Sequence, residues 1–293
     1  KKPVKVAPWN QWIEPTFPFF SAAVDARDKP ADTNLTPRAL IFPLGDDYFL
    51  AYDLDLLRVA VAWKAEAVPF LNASMSVNSY PYQLKKVSGG QKALPKPNGK
   101  ILYQNGIYAG VGSGSPSFTD SRPPPPTETE VGRGGIHPQQ ARFLGIDLQP
   151  RANIIYIAGN TRIRESFDFQ KDGLVRQLKV EAHKQPLYIV LSTGEHEDSK
   201  FICRGKGTIK AINNHVICLV PASNKPEEIS IVFPVTGNPS KPSQPKAKRW
   251  QKKVRLPLPE SEKGNALNFE PIPLPLESPY KRGVRAAGID FFK

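Results

Sequence analysis

Two β-rich runs joined by a two-residue loop, and the same arrangement repeated further on, restrict the second half of this chain to antiparallel β structure. Asn153 to Ala158 reads NIIYIA, Gly159-Asn160 follows, and the chain resumes as TRIRESF (Thr161 to Phe167). Gly at the first loop position supplies the positive φ of a type II′ turn, whose twist matches that of the flanking strands. GTIKAI (Gly207 to Ile212), Asn213-Asn214 and HVICLV (His215 to Val220) repeat the logic with a type I′ turn, because Asn tolerates the left-handed conformation. Further strands are expected at ALIFPL (Ala39 to Leu44) and YFLAYD (Tyr48 to Asp53), joined by the Gly45-Asp46-Asp47 turn, and at RVAVAW (Arg58 to Trp63). VRQLKVEA (Val175 to Ala182), LYIVLS (Leu187 to Ser192), KFICR (Lys200 to Arg204) and EISIVFP (Glu228 to Pro234) complete the set. Short strands at regular spacing between turn signals predict an all-β, antiparallel sandwich rather than a parallel sheet.

Composition supports little helix and a real core. Pro outnumbers Gly, 31 to 21, so many connections are stiffened loops, while 15 Phe and 9 Tyr exclude wholesale disorder. Residues 1–34 read as an aromatic, Pro-rich arm and residues 35–236 as a sandwich-like domain. Within that domain, residues 68–149 form a long insertion expected to be mostly loop, since it holds GVGSGS (Gly110 to Ser115) and the run Pro123 to Pro126. Residues 237–293 read as an extended Pro- and Lys-rich segment. In PLPE (Pro257 to Glu260) and PIPLPLESP (Pro271 to Pro279) each Pro removes a donor that a sheet would need, which leaves polyproline-like structure.

The formal charge of +13 is concentrated in that segment: Lys241, Lys246, Lys248, Arg249, Lys252, Lys253 and Arg255 occur without an acid among them. With Trp250 as its single aromatic and no nucleic-acid fold around it, the stretch reads as a tether along an acidic protein partner, and nucleic acid is not expected. Trp9 and Trp12 in the N-terminal arm either anchor in a partner's groove or line the chain's own core. No run approaches the roughly 20 apolar residues that span a bilayer, so the chain is not expected to be transmembrane itself. It begins Lys1-Lys2, consistent with a trimmed leader or an arbitrary boundary.

The chemistry-bearing residues are sparse. Glu195 and His196, with Glu197 and Asp198, offer metal ligands, but they stand in a predicted loop between strands, where a solvated charged turn is the better account. Asp46 and Asp47, with Asp53 and Asp55, flank strand ends where clustered carboxylates can hold Ca²⁺; turn chemistry accounts for the first two without an ion. His137 and His183 lack a nucleophile nearby and read as surface or loop histidines. GVGSGSPS lacks the Lys and strand-to-helix context of a phosphate loop. Asn34-Leu35-Thr36 and Asn72-Ala73-Ser74 fit the glycosylation triplet. Cys203 and Cys218 are expected in the two arms of the second hairpin region, where cross-strand pairing would bring them together, and they admit two readings, a disulfide or two unpaired core thiols. Nothing calls for a cofactor, and the reading is non-catalytic.

The order ALIFPLGDDYFLAYDLDLLRVAVAW, a Gly/Pro loop region, IIYIAGNTRIRESFDFQKDGLVRQLKVEAHKQPLYIVLS and finally RAAGIDFFK resembles a known family. This is the N-terminal domain of unknown function of large secreted multidomain proteins from planctomycete-type and related bacteria. The resemblance spans residues 35–293, and GIDFF resembles the opening of the β-propeller blade that follows in that family. It implies periplasmic or extracellular placement and a structural or interaction role in an extracytoplasmic redox or membrane-associated electron-transfer assembly. The implied partner is a protein, haem-containing or part of a membrane-embedded complex. No Cys-x-x-Cys-His occurs, so c-type haem would sit elsewhere. The alternative, from another class, is a carbohydrate-binding sandwich of a secreted degradative enzyme.

Overall fold

Alternating and fully apolar runs produce fifteen strands and, among the described residues, no helix. The computed structural model describes residues 18–27, 34–45, 47–66, 70–71, 95–124, 133–148, 151–194 and 201–237. Five strands form an antiparallel meander in chain order: β1 (Phe20–Asp25), β2 (Leu35–Gly45), β3 (Tyr48–Asp53), β4 (Arg58–Ala65) and β5 (Gly99–Gln104). Continuous apolar runs such as VAVAW in β4 arise because both faces of this sheet are covered. Leu50, Tyr52, Val59 and Ala62 join the main core. Ala51, Val61 and Trp63 face a second cluster closed by Leu71, in which Phe49 stacks on Trp63 and on Phe70.

The remaining strands are β6 (Val111–Ser113), β7 (Ala141–Asp147), β8 (Asn153–Ala158), β9 (Thr161–Gln170), β10 (Gly173–Val180), β11 (Leu187–Thr193), β12 (Ile202–Arg204), β13 (Thr208–Ile212), β14 (His215–Val220) and β15 (Glu227–Phe233). Six of them order as β12-β15-β10-β9-β8-β7, and four as β13-β14-β11-β6, all antiparallel. Side chains from all three sheets meet in one core, among them Tyr52, Tyr103, Ile154, Phe169, Ile189 and Ile231. The fold is therefore all-β and sandwich-like, as expected.

Both hairpin turns have the anticipated geometry. Gly159 has φ of 56°, and Asn213 and Asn214 have φ of 48° and 62°. The stretch 68–149, expected to be mostly loop, contributes the strands β5, β6 and β7. GVGSGS supplies β6, which pairs with β11. The expected arm likewise contributes β1. The basic segment and the rest of 238–293 lie outside the described residues.

Candidate functional site

The loop between β3 and β4, Asp53-Leu54-Asp55-Leu56-Leu57-Arg58, is held from beneath by a charged lattice. Asp53 Oδ1 accepts from the Asp55 and Leu56 amides at 2.9 and 3.3 Å, and its Oδ2 accepts from Arg58 Nε at 3.1 Å. Arg58, with no exposed surface, also donates through Nη1 to Asn34 Oδ1 (3.0 Å) and to the Asn105 and Gly106 carbonyls (2.7 Å each), and through Nη2 to Thr36 Oγ1 (3.2 Å). A guanidinium whose three nitrogens all find acceptors tolerates complete burial. Leu57 is forced to φ of 50°, a conformation that costs an ordinary side chain ~1–2 kcal/mol. Hydrogen bonds from Gly110 N to Leu56 O and from Ile136 N to Asp55 O hold it there.

Above this floor opens a cleft of about 380 Å³, lined by Arg38, Leu54, Asp55, Leu57, Ile136 and Phe143, with Arg142 at its rim. Arg38 grips Asp55 with two donors, Nε to Oδ2 at 3.1 Å and Nη2 to Oδ1. The carboxylate is buried while the Arg38 side chain stays 59% exposed. Burial pushes the Asp55 carboxyl above its usual range, and the Arg38 hydrogen bond only partly offsets this. Nearby, Asp120 takes Arg122 and Arg133. Burial raises its carboxyl, but the Arg122 hydrogen bonds outweigh that and hold it below the usual value. Arg122 in turn donates to the Gly134 carbonyl, beside the cleft. Three arginines, Arg38, Arg122 and Arg133, thus hold two aspartates, and Arg142 adds a further guanidinium to the lining of the cleft.

A second buried charge pair lies in the core. Glu165 Oε1 stands 2.5 Å from Arg176 Nε, and its Oε2 accepts from the Tyr156 hydroxyl at 2.7 Å and the Tyr52 hydroxyl at 3.4 Å. Arg176 Nη1 reaches Val190 O at 3.4 Å, so this network joins all three sheets. Burial raises the Tyr52 and Tyr156 hydroxyls well above their ordinary value.

Cys203 and Cys218 come together, with sulfurs 3.8 Å apart and both residues as free thiols. They do not occupy two arms of one hairpin: Cys203 lies on β12 of the six-stranded sheet, and Cys218 on β14 of the four-stranded sheet.

The other sequence candidates are placed as follows. Trp9, Trp12, Asp46, Glu195, His196, Lys246, Lys248, Arg249, Trp250, Lys252, Lys253 and Arg255 lie outside the described residues. Asp47 sits at φ of 62° in its turn and accepts from the Ala65 amide through its carbonyl. Asp53 and Asp55 are paired with arginines rather than converging on one point, and no group of three metal-ligating side chains occurs among the described residues. His137 is exposed as expected, but His183 is buried, because its backbone bridges to Ser223 and its Nδ1 lies 2.9 Å from Glu181 O. Asn34 is buried against Arg58 and Ala60, which removes it from glycosylation in the folded chain. Sequence reasoning missed Arg38, Arg58 and Arg142. The one signal for Arg58 was a charge inside an otherwise apolar run, five residues after an Asp.

Among the described residues no helix is long and apolar enough to cross a membrane. The fold and cleft define an all-β module with a basic, apolar-floored recess and a buried ionic frame. Residues 50–165, which supply that frame and most of the cleft, match the family model for a domain of unknown function (DUF6797). No curated protein and no solved structure matches the chain.

Proposed function

We propose that the chain is a non-catalytic interaction module of an exported assembly, in which the cleft beside β7 receives an extended, acidic and apolar segment of a protein partner. The observation that carries this is the pairing of a preformed floor with exposed arginines: Leu57, Ile136 and Phe143 offer apolar contact while Arg38 and Arg142 offer charge. β7 ends the order of its sheet, with Leu144 exposed on it and Leu148 exposed just after it, and an edge of this kind accepts an added strand. The setting belongs to the proposal: a periplasmic or extracellular redox or membrane-associated electron-transfer assembly, as the family resemblance suggests. The basic stretch Lys246 to Arg255 would add salt-sensitive attraction. The carbohydrate-binding reading asks for exposed Trp and Tyr; among the described residues Trp63 and all six tyrosines are buried.

The test is capture from a native extract with the chain and with its Arg38→Glu/Arg142→Glu variant as parallel baits. The expected result is a protein retained by the first and lost by the second, with retention falling as salt rises. Identical sets on both baits would refute the cleft as the docking site.

A further inference from the structure

We propose that Cys203 and Cys218 form a reversible disulfide that staples the six-stranded sheet to the four-stranded sheet, with Cys203 meeting the oxidant and Cys218 resolving it. The inference is independent of the cleft.

Three features build the site. The sulfurs are already 3.8 Å apart, against about 2.05 Å in a disulfide, so closure needs side-chain rotation more than refolding. Gly207 fills the space beside them: a Cβ there would lie 2.6 Å from each sulfur, so only glycine leaves both free to approach. Exposure divides the labour, since Cys218 is fully buried and Cys203 only partly. The first proton also leaves from the accessible sulfur. The hydrogen bond from Cys218, together with the one from the Gly207 backbone, outweighs partial burial and lowers the Cys203 thiol to about 7. Sharing that hydrogen bond, and burial, raise Cys218. An accessible thiolate beside a protonated, shielded partner is the arrangement that thiol–disulfide exchange uses.

The chemistry balances with a small-molecule disulfide as oxidant. The Cys203 thiolate attacks one sulfur of that disulfide, forming a mixed disulfide and expelling one thiolate, which takes up the proton Cys203 released. Cys218 then loses its proton as its sulfur attacks Cys203 Sγ, and the second thiolate leaves and is protonated. Two protein thiols are oxidised and one disulfide is reduced to two thiols.

The experiment exposes the reduced, folded chain to oxidised glutathione and maps its cysteines by mass spectrometry after non-reducing digestion. Both thiols should vanish together into a Cys203–Cys218 cross-linked peptide. The thermal midpoint should rise by roughly 5–10 °C, as expected for closing a loop of this size, and a reductant should reverse it. Cys218→Ser should stop at a glutathione adduct on Cys203, and Cys203→Ser should leave Cys218 unmodified. Free thiols persisting in the folded chain where the urea-unfolded chain cross-links, or stable adducts on both cysteines, would overturn the proposal.

Discussion

Two arginines are buried among the described residues, and they are buried differently. Arg58 sits beneath the cleft with acceptors for all three of its nitrogens, supplied by Asp53, Asn34, Thr36 and two loop carbonyls. Arg176 sits between the sheets against Glu165 and Val190 O, its Nη2 without a hydrogen-bond acceptor, beside a void of about 10 Å³. Arg58 therefore serves its neighbours as much as they serve it, since the Asn105 and Gly106 carbonyls depend on it. Little besides Glu165 depends on the Arg176 guanidinium, while Glu165 also takes the Tyr156 and Tyr52 hydroxyls, so the charge of this pair can be removed at little cost provided an acceptor for those hydroxyls stays. The lattice around Arg58 belongs to the floor of a site, whereas the other pair is a brace of the core.

The difference is measurable by substitution. Arg58→Met should be the most damaging, about 5 kcal/mol by urea denaturation, because it strands the Asp53 carboxylate and unpairs buried carbonyls. Adding Asp53→Asn should recover little of that loss. Arg176→Met should cost about 3 kcal/mol, and here the second change, Glu165→Gln, which removes the charge but keeps an acceptor for the Tyr156 hydroxyl, should bring the loss back to about 1 kcal/mol. If the Arg58 pair recovers as fully as the Arg176 pair, the contrast between them is false.

Acid sensitivity separates the carboxylates around the cleft by smaller amounts. Asp120 is held below 3.8, so its contribution is present above that pH and fades as pH falls through its folded value. Asp55 is raised above 3.8, so its contribution is full below that pH and is lost as pH rises through its folded value. Asp120→Asn should accordingly flatten the acid limb of stability against pH, and Asp55→Asn should steepen it, both read from urea midpoints between pH 3 and 6.

The strands were legible where their signals were local. Gly159-Asn160 and Asn213-Asn214 announce their hairpins within two residues, and each has the φ its turn demands. β5, β6 and β7 were hidden because their partners are distant and their patterns broken. β6 is three residues long in a Gly-rich run, and β7 is interrupted by an irregularity between Phe143 and Gly145. The cleft was less legible still. Arg38 meets Asp55 across 17 positions, and Arg58 meets the Gly106 carbonyl across 48. Pairings of that range are set by sheet order, and no motif carries them. The phrase YDLDLLRVAVAW, whose ends read as strands and which carries the family resemblance, is the stretch that builds the floor.

The measurement that bears most directly on the cleft is a binding titration of the folded chain with short synthetic peptides that alternate Glu or Asp with Leu or Phe. The account predicts saturable binding to these peptides, weakened at least tenfold, about 1.4 kcal/mol, by Arg38→Glu/Arg142→Glu and weakened by salt. Equal affinity of the chain and its variant, or equal binding of peptides whose acids are replaced by Lys, would contradict it.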